Sequence, residues 1–539
     1  MAKTTAGQAK QFGRVPTLSI SRSTFDRSHR HTTTFDADYL IPILVDDIMP
    51  GDSFSVNCNV FGRLATPLFP IMDNIYVETF FFFVPYRLVW DNWEKFCGAQ
   101  DDPGDSISYT IPVVNTGMTA NVGELAQYMG IPEGASTTTH TDISVLPFRA
   151  FRLIFNEWFR DQNLTDSLTL VTDDGPDTQA ETGFNQVPPK RGKRHDYFTS
   201  CLPWPQKQTS AVTFSLGTDA NVITKAAEHT TTGLPVLQFR ETGGTLSGGH
   251  GLGIDGVGDL HELTTGTTGT GEFSPTNLYA DLANATGVSI NDFRLALQTQ
   301  ALLEIDARSG TRYPETVLAH FGVTVPDFRV QRPEYLGGGR SLVNITPVAQ
   351  TTYQGTATDE DAKGALAGFG TVSGRHGFTK SFVEHGVLIG IANARADITY
   401  SQGIDRYWTK STRYDFYYPV LANISEQAVL IREIYAAAAD QTTVWGYQER
   451  YAEYRYKKSQ LSGLMSVDAS GSLSAWHLSE DFASEPSLNN AFIESNTGTP
   501  LDRAIAVSTE PHFIMDFYFQ MKCARPMPVF GIPFNMSRF

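Results

Sequence analysis

Lys190, Arg191, Lys193 and Arg194 place four cations within five positions of the segment KRGKRHDYFTSCLPWPQ, in a 539-residue chain whose formal charge is −17. A basic knot in an acidic chain can meet nucleic-acid phosphates or the acidic surface of a neighbouring subunit. Directly behind it come His195, Tyr197, Phe198 and Trp204, the last held between Pro203 and Pro205. Each proline removes a backbone donor and forces an extended neighbour, so the segment is expected to be extended chain and not helix.

A second basic stretch opens the chain. Residues 1–31 carry Lys3, Lys10, Arg14, Arg22, Arg27 and Arg30 against Asp26 alone. With few large apolar side chains, residues 1–40 are expected to form a flexible basic arm, either solvated or bound to phosphate or partner subunits. A third candidate is WGYQERYAEYRY, where Trp445, Tyr447, Tyr451 and Tyr454 are interleaved with Arg450 and Arg455. Tyr and Arg are favoured at interface centres, because a rigid ring and a planar cation combine area with directional bonding. These residues alone leave open whether they meet a neighbour or pack within their own chain.

Signals for catalysis or metal binding are thin. Gly248 to Asp259 (GGHGLGIDGVGD) lacks the strand-to-helix setting of a dinucleotide loop and the GK[ST] ending of a phosphate loop. Asp255 and Asp259 lack the ligand series of a calcium loop, and a flexible loop tip is expected there. His29 and His31 alternate in the arm, and the chain contains no HExxH, paired CxxC or GxSxG motif. Adjacent acids such as Asp46-Asp47 and Asp173-Asp174 do not identify a catalytic pair, because separation in space is what matters. No enzyme activity, metal or cofactor is expected.

The elements that must position these residues are mostly strands. Aromatic residues make up 12% of the chain and charged residues 18%, with 46 Gly and 28 Pro, a β-rich and loop-rich profile. Phe54, Val56, Cys58 and Val60 alternate as in a half-buried strand, and Phe513 to Met521 does the same. Ile75 to Trp90 starts with alternation and becomes apolar on both faces at Phe80–Val84, as suits a strand covered on both sides. Phe382 to Ile391 is expected as another apolar strand, interrupted by Glu384 and His385. Val145 to Asn163 and Ser289 to Arg308 have the spacing of packing helices, with Arg149, Arg152 and Arg160 off the apolar face of the first and Ser289 and Asp292 in capping-box spacing in the second. Strong strands at both ends of the chain predict one sandwich with large insertions.

Residues 211–290 contrast with the rest, holding Lys225 and Arg240 against eight carboxylates, with eleven glycines between Glu241 and Gly271. Such a segment cannot bury a core of its own and is expected to be an exposed insertion over 211–285. Cys58, Cys97, Cys201 and Cys523 are far apart and are expected to be reduced thiols of an intracellularly made protein. No run approaches the ~18 apolar residues of a membrane span, and no apolar run follows the N-terminus as in a secretory signal. A secreted β-sandwich glycosidase would need that signal and a carboxylate pair, and a host-binding module acting alone would not need a basic arm with such extensive apolar strands.

Four stretches together resemble the major capsid proteins of the Microviridae, in particular the gokushovirus branch. They are SRSTFDRSHRHTTTFDADYLIPILVDDIMPGDSF from Ser21 to Phe54, YVETFFFFVPYRLVWDNWEKFCG, KRGKRHDYFTSCLPWPQ and WGYQERYAEYRYKKSQLSG. The resemblance implies an eight-stranded antiparallel viral jelly roll with long insertions containing a few helices. It further implies a homo-oligomer, a T=1 icosahedral shell in the virion, assembled in the host bacterial cytoplasm around circular single-stranded DNA. Implied partners are a small basic DNA-binding protein, an internal scaffolding protein, a minor pilot protein and a host surface receptor. Arg22, Arg27, Arg30, Lys190, Arg191, Lys193 and Arg194 become candidate contacts to DNA or to the basic protein. Trp445, Tyr447, Arg450, Tyr451, Tyr454 and Arg455 become candidate subunit contacts. The insertion becomes a threefold protrusion, with Gly248, His250, Asp255 and Asp259 in the candidate host-attachment loop.

Overall fold

The structure is a computed structural model that describes residues 21–207, 290–351 and 364–531, and within 208–289 residue 212 and nine short strands. Nine longer strands form its main sheet: β1 (Ser23–Asp26), β2 (His29–Phe35), β3 (Ile41–Ile48), β4 (Ser53–Leu64), β5 (Ile75–Pro85), β6 (Glu334–Ala349), β7 (Leu366–Ser381), β8 (Gly386–Ala396) and β9 (Phe513–Arg525). Their order is β1-β9-β4-β7-β6-β5-β8-β3, with β2 also on β9, and every pair is antiparallel.

The sheet curls because β6 changes partner along its length. Its first part, Glu334 to Leu342, pairs with β5, and Val343 to Ala349 pairs with β7. Two halves therefore face each other in a jelly-roll-like, half-barrel sheet. Phe81 of β5 meets Phe378 of β7 at 5.3 Å and Phe519 of β9 at 6.4 Å across the core. Period-2 alternation explains the filling: Phe54, Val56, Cys58 and Val60 point inward from β4, and Phe513, Met515, Phe517, Phe519 and Met521 from β9.

β5 is covered on both sides. Phe81 and Phe83 enter the central core, while Phe82 and Val84 join a second core with Val387, Ile389 and Ile391 of β8. Helix α1 (Leu146–Ile154) covers that outer face, continuing as a π turn through Phe159, somewhat shorter than the expected Val145–Asn163. Its arginines are not on a solvated face. Arg149 is fully buried with Nε 2.7 Å from Asp177, and Arg152 donates to the carbonyls of Thr169 and Ala180. Buried guanidinium is tolerated here because carboxylate and carbonyl oxygens replace water.

Three further expectations change. The stretch read as a flexible arm is sheet from Ser23 onward, because β9 supplies the apolar partner face that β1 and β2 lack; Phe35 stacks on Phe513 at 5.8 Å. The apolar strand expected over Phe382–Ile391, interrupted at Glu384 and His385, begins only at Gly386: residues 382–385 are the turn joining β7 in one half to β8 in the other. Helix α2 (Ile290–Ser309) shows no clear buried face among the described residues: Ala307 is its one fully buried residue, and Ile290, Leu295, Leu297 and Leu302 are exposed. Its apolar positions are spread around the axis and form no single stripe.

Residues 206–306 form a second compact unit, which takes in the glycine-rich region. Within it, Gly251–Ile254, Leu260–Thr264 and Thr267–Thr268 form a three-stranded antiparallel sheet, and three two-stranded ribbons accompany it.

Candidate functional site

The basic knot is extended, bridging Tyr39 through Lys190 and Glu494 through Gly192. Its charges are largely answered within the chain. Arg191 and Arg194 both pair with Glu78 of β5, Arg194 at 3.0 Å, and Arg395 of β8 lies 3.4 Å from the same carboxylate. Burial opposes ionisation of Glu78, yet the guanidiniums of Arg191, Arg395 and Arg194 outweigh it and hold the carboxyl below its ordinary range. Burial, then repulsion from Arg191, brings Arg395 down to about 9 against the pull of Glu78. The same cations lie on rings, Arg191 4.6 Å from the centroid of Phe80 and Arg194 4.8 Å from that of Tyr76.

Lys193 is buried, 2.7 Å from Glu480 and 4.2 Å over the Phe492 ring. Lys190 is half-buried over Tyr39. Arg191, Lys193 and Arg194 thus pin the segment to the sandwich, and they border an open cleft of about 690 Å³ with Arg160, Arg308 and Arg312. Glu78 was the signal to follow: a lone carboxylate inside the apolar run YVETFFFF has to find cations.

The arm residues separate. Arg27 turns to Asp46 of β3 through two bonds of 2.6 and 2.9 Å. Arg22 donates to Ser53 Oγ at 2.6 Å, and Arg30 to Asp516 at 2.5 Å, which brings both to the open outer face of the β9–β4–β7 half. Register places Arg30, Tyr518, Asn59 and Arg375 in one row across four strands, about 14 Å long at the usual strand spacing. Neighbouring rows add Phe61, Arg63 and Lys522, all exposed. On this face Arg22, Arg30, Arg63, Arg375 and Lys522 stand against Asp26 and Asp516, with amide and hydroxyl side chains between. Arg63, Arg375 and Lys522 had no sequence signal, being single cations on alternating strands.

The aromatic candidate also divides. Trp445 packs on Phe492 at 5.0 Å and donates from Nε1 to the Pro486 carbonyl at 2.8 Å, inside a third core with Phe198 and Ile493. Tyr451 is buried with φ of 61°, and its hydroxyl donates to the carbonyl of Phe416 at 3.0 Å. Tyr447 is half-buried and bridges Leu202 through its backbone, and Arg450 lies over the Tyr451 ring. Only Tyr454 and Arg455 are well exposed, Arg455 paired with Glu449. For Trp445 and Tyr451 the packing alternative is what the structure adopts. Gly248, His250, Asp255 and Asp259 lie outside the described residues.

The family described as "Capsid protein (F protein)" matches residues 13–535 of this sequence. The chain belongs to this phage capsid protein family. It is 42% identical to "Capsid protein VP1" of Bdellovibrio phage phiMH2K, over 98% of each chain. It is likewise 40% identical to "Capsid protein VP1" of Chlamydia phage 1, over 97% of each. Identity to "Capsid protein VP1" of Spiroplasma virus 4 is 36%, over 95% of each.

A Microviridae-like capsid protein is a structural, non-enzymatic component of the virion. Among the described residues of this capsid protein, no group of three or more His, Cys, Asp or Glu could hold a metal ion. No helix among them is long and apolar enough to cross a membrane.

Proposed function

We propose that the chain is the major capsid protein of a gokushovirus-type particle, in which copies build a T=1 icosahedral shell around circular single-stranded DNA. The observation that supports the genome side of this reading is the open sheet face bearing Arg22, Arg30, Arg63, Arg375 and Lys522 beside exposed Phe61 and Tyr518. Cations that follow a phosphate backbone, with rings on which bases stack, bind single strands without reading sequence. A chain of formal charge −17 repels DNA as a whole, so this face has to turn inward and a small basic protein has to neutralise most of the phosphate. Assembly would take place in the host bacterial cytoplasm with an internal scaffolding protein and a minor pilot protein. The region 211–285 would form the threefold protrusion and meet the host surface receptor.

Electron cryomicroscopy of assembled particles tests this. The row Arg30–Tyr518–Asn59–Arg375 is expected to face the lumen against nucleic-acid density. Particles with that row on the outer surface would overturn the genome assignment, and failure to form closed particles would overturn the shell.

A further inference from the structure

Residues 404–424, read IDRYWTKSTRYDFYYPVLANI, expose Tyr407, Trp408, Tyr414, Phe416, Tyr417 and Tyr418, with Trp408 76% and the following Val420 80% exposed. Aromatic side chains bury ~150–250 Å² each, so six that are about half exposed present roughly 450–750 Å². The largest apolar patch of a typical monomer is ~300–600 Å². A specific interface covers about 800 Å² on each partner. The patch therefore approaches one side of an interface and lies in or above the upper part of what a solitary chain usually leaves in water.

The patch is continuous. Lys410 Nζ lies 3.8 Å over the Tyr454 ring and 5.5 Å from the centroid of Phe416, and Tyr417 is 6.4 Å from Tyr454. A groove of about 150 Å³ lined by Tyr407, Lys410, Tyr454 and Tyr456 extends it. It is also held in place, although its only regular structure is three short 3-10 turns. Tyr451 holds the Phe416 carbonyl, Arg406 the Ala428 carbonyl at 2.7 Å, and Lys458 sits 2.7 Å from Asp405. A surface ordered in advance loses little entropy when it is covered.

Charge decides the class of partner. Asp405 pairs with Lys458, Arg406 with Glu433 and Lys410 with Glu453, while Asp415 accepts from Thr412. Arg413 lies near the rings of Tyr414 and Tyr418. Such a surface is nearly neutral and offers phosphate little, whereas Tyr, Trp and Arg at a dry centre are what protein interfaces use. We propose that residues 404–424, with Tyr454 and Tyr456, are a contact surface between copies of this chain in the shell. The occupant is a second copy because a capsid protein has to cover much of itself with its neighbours, and the area approaches that of one such contact.

The proposal rests on the shell reading, and the test separates the two. A photo-crosslinking residue placed at Trp408 in assembled particles is expected to join two copies of the chain, while one at Val383, exposed on the β7–β8 turn, serves as comparison. Trp408 crosslinks confined to one chain, reaching another virion protein, or absent from intact particles would overturn the proposal alone. Absence of closed particles from the wild-type chain would remove the shell reading and this contact with it. Independently, Tyr407→Ser with Trp408→Ser should lower particle yield by about tenfold or more, the scale of losing one hot-spot residue. The melting temperature of the unassembled subunit should stay unchanged. Wild-type particle yield from that variant would equally overturn the contact.

Discussion

Arg194 and Glu78 meet at 3.0 Å although 116 residues separate them, and that pairing turns a basic knot into a clamp between an extended connector and the middle of the sandwich. Arg191 and Arg395 crowd the same carboxylate, so Glu78 is outnumbered by the cations it neutralises.

Replacing Glu78→Gln should therefore cost about 3–5 kcal/mol of subunit stability, because it takes the paired carboxylate from the partly buried Arg191 and from Arg395, while Arg194 keeps Asp397. Chemical denaturation of the unassembled subunit reads this directly. A loss below about 1 kcal/mol, the size of a surface pair, would show that the clamp carries no structural weight.

The same carboxylate sets an acid limit. Its folded-state pKa lies below the ordinary 4.5, so its stabilisation is fully present above that value and is lost as pH falls through the folded value. The wild-type denaturation midpoint should drop on acidification below the ordinary value, and Glu78→Gln should flatten that part of the profile. Parallel profiles for the two chains would contradict the assignment.

Arg63→Gln with Arg375→Gln should leave subunit stability within about 0.5 kcal/mol, as expected for exposed positions. Each phosphate contact removed should lower the salt dependence of single-stranded DNA binding by about 0.7 in log–log slope. Unchanged slope and affinity would place the genome elsewhere.

Tyr451→Phe keeps the buried ring but removes the hydroxyl that holds the carbonyls of Phe416 and Tyr414. Global stability should fall by only about 0.5–1.5 kcal/mol. Amide hydrogen exchange over 414–418 should accelerate, and particle yield should fall with it. Exchange unchanged in that segment would mean that other contacts set its conformation.

Cysteine reactivity should be confined to one site. Cys97 is exposed, whereas Cys58, Cys201 and Cys523 are buried, and burial pushes the Cys58 thiol up to about 12. Titration of the native subunit with a thiol reagent should modify Cys97, and the remaining three only after unfolding.

The strands were legible because their signal is local. Alternation at Phe54–Val60 and Phe513–Met521 needs only consecutive residues, and it names both the element and its buried face. The double-sided run at Phe80–Val84 likewise announced a strand with a core on each side. β1 and β2 escaped because their apolar partner face belongs to β9, almost 500 residues away in the chain.

The candidate surfaces were less legible, since composition marks a residue as able to bind without saying what it already binds. Lys190 to Arg194 and Trp445 to Tyr454 were both candidates for contact, the second with intrachain packing left open, yet Glu78, Glu480 and Phe492 hold much of this chemistry inside the chain. By itself the sequence determined a β sandwich with a charged connector and aromatic segments. Only the tertiary structure decided which charges were answered and which rings stayed in water. The physical reason is that periodicity belongs to neighbours along the chain, whereas ion pairing and exposure depend on which distant segments meet at the same surface.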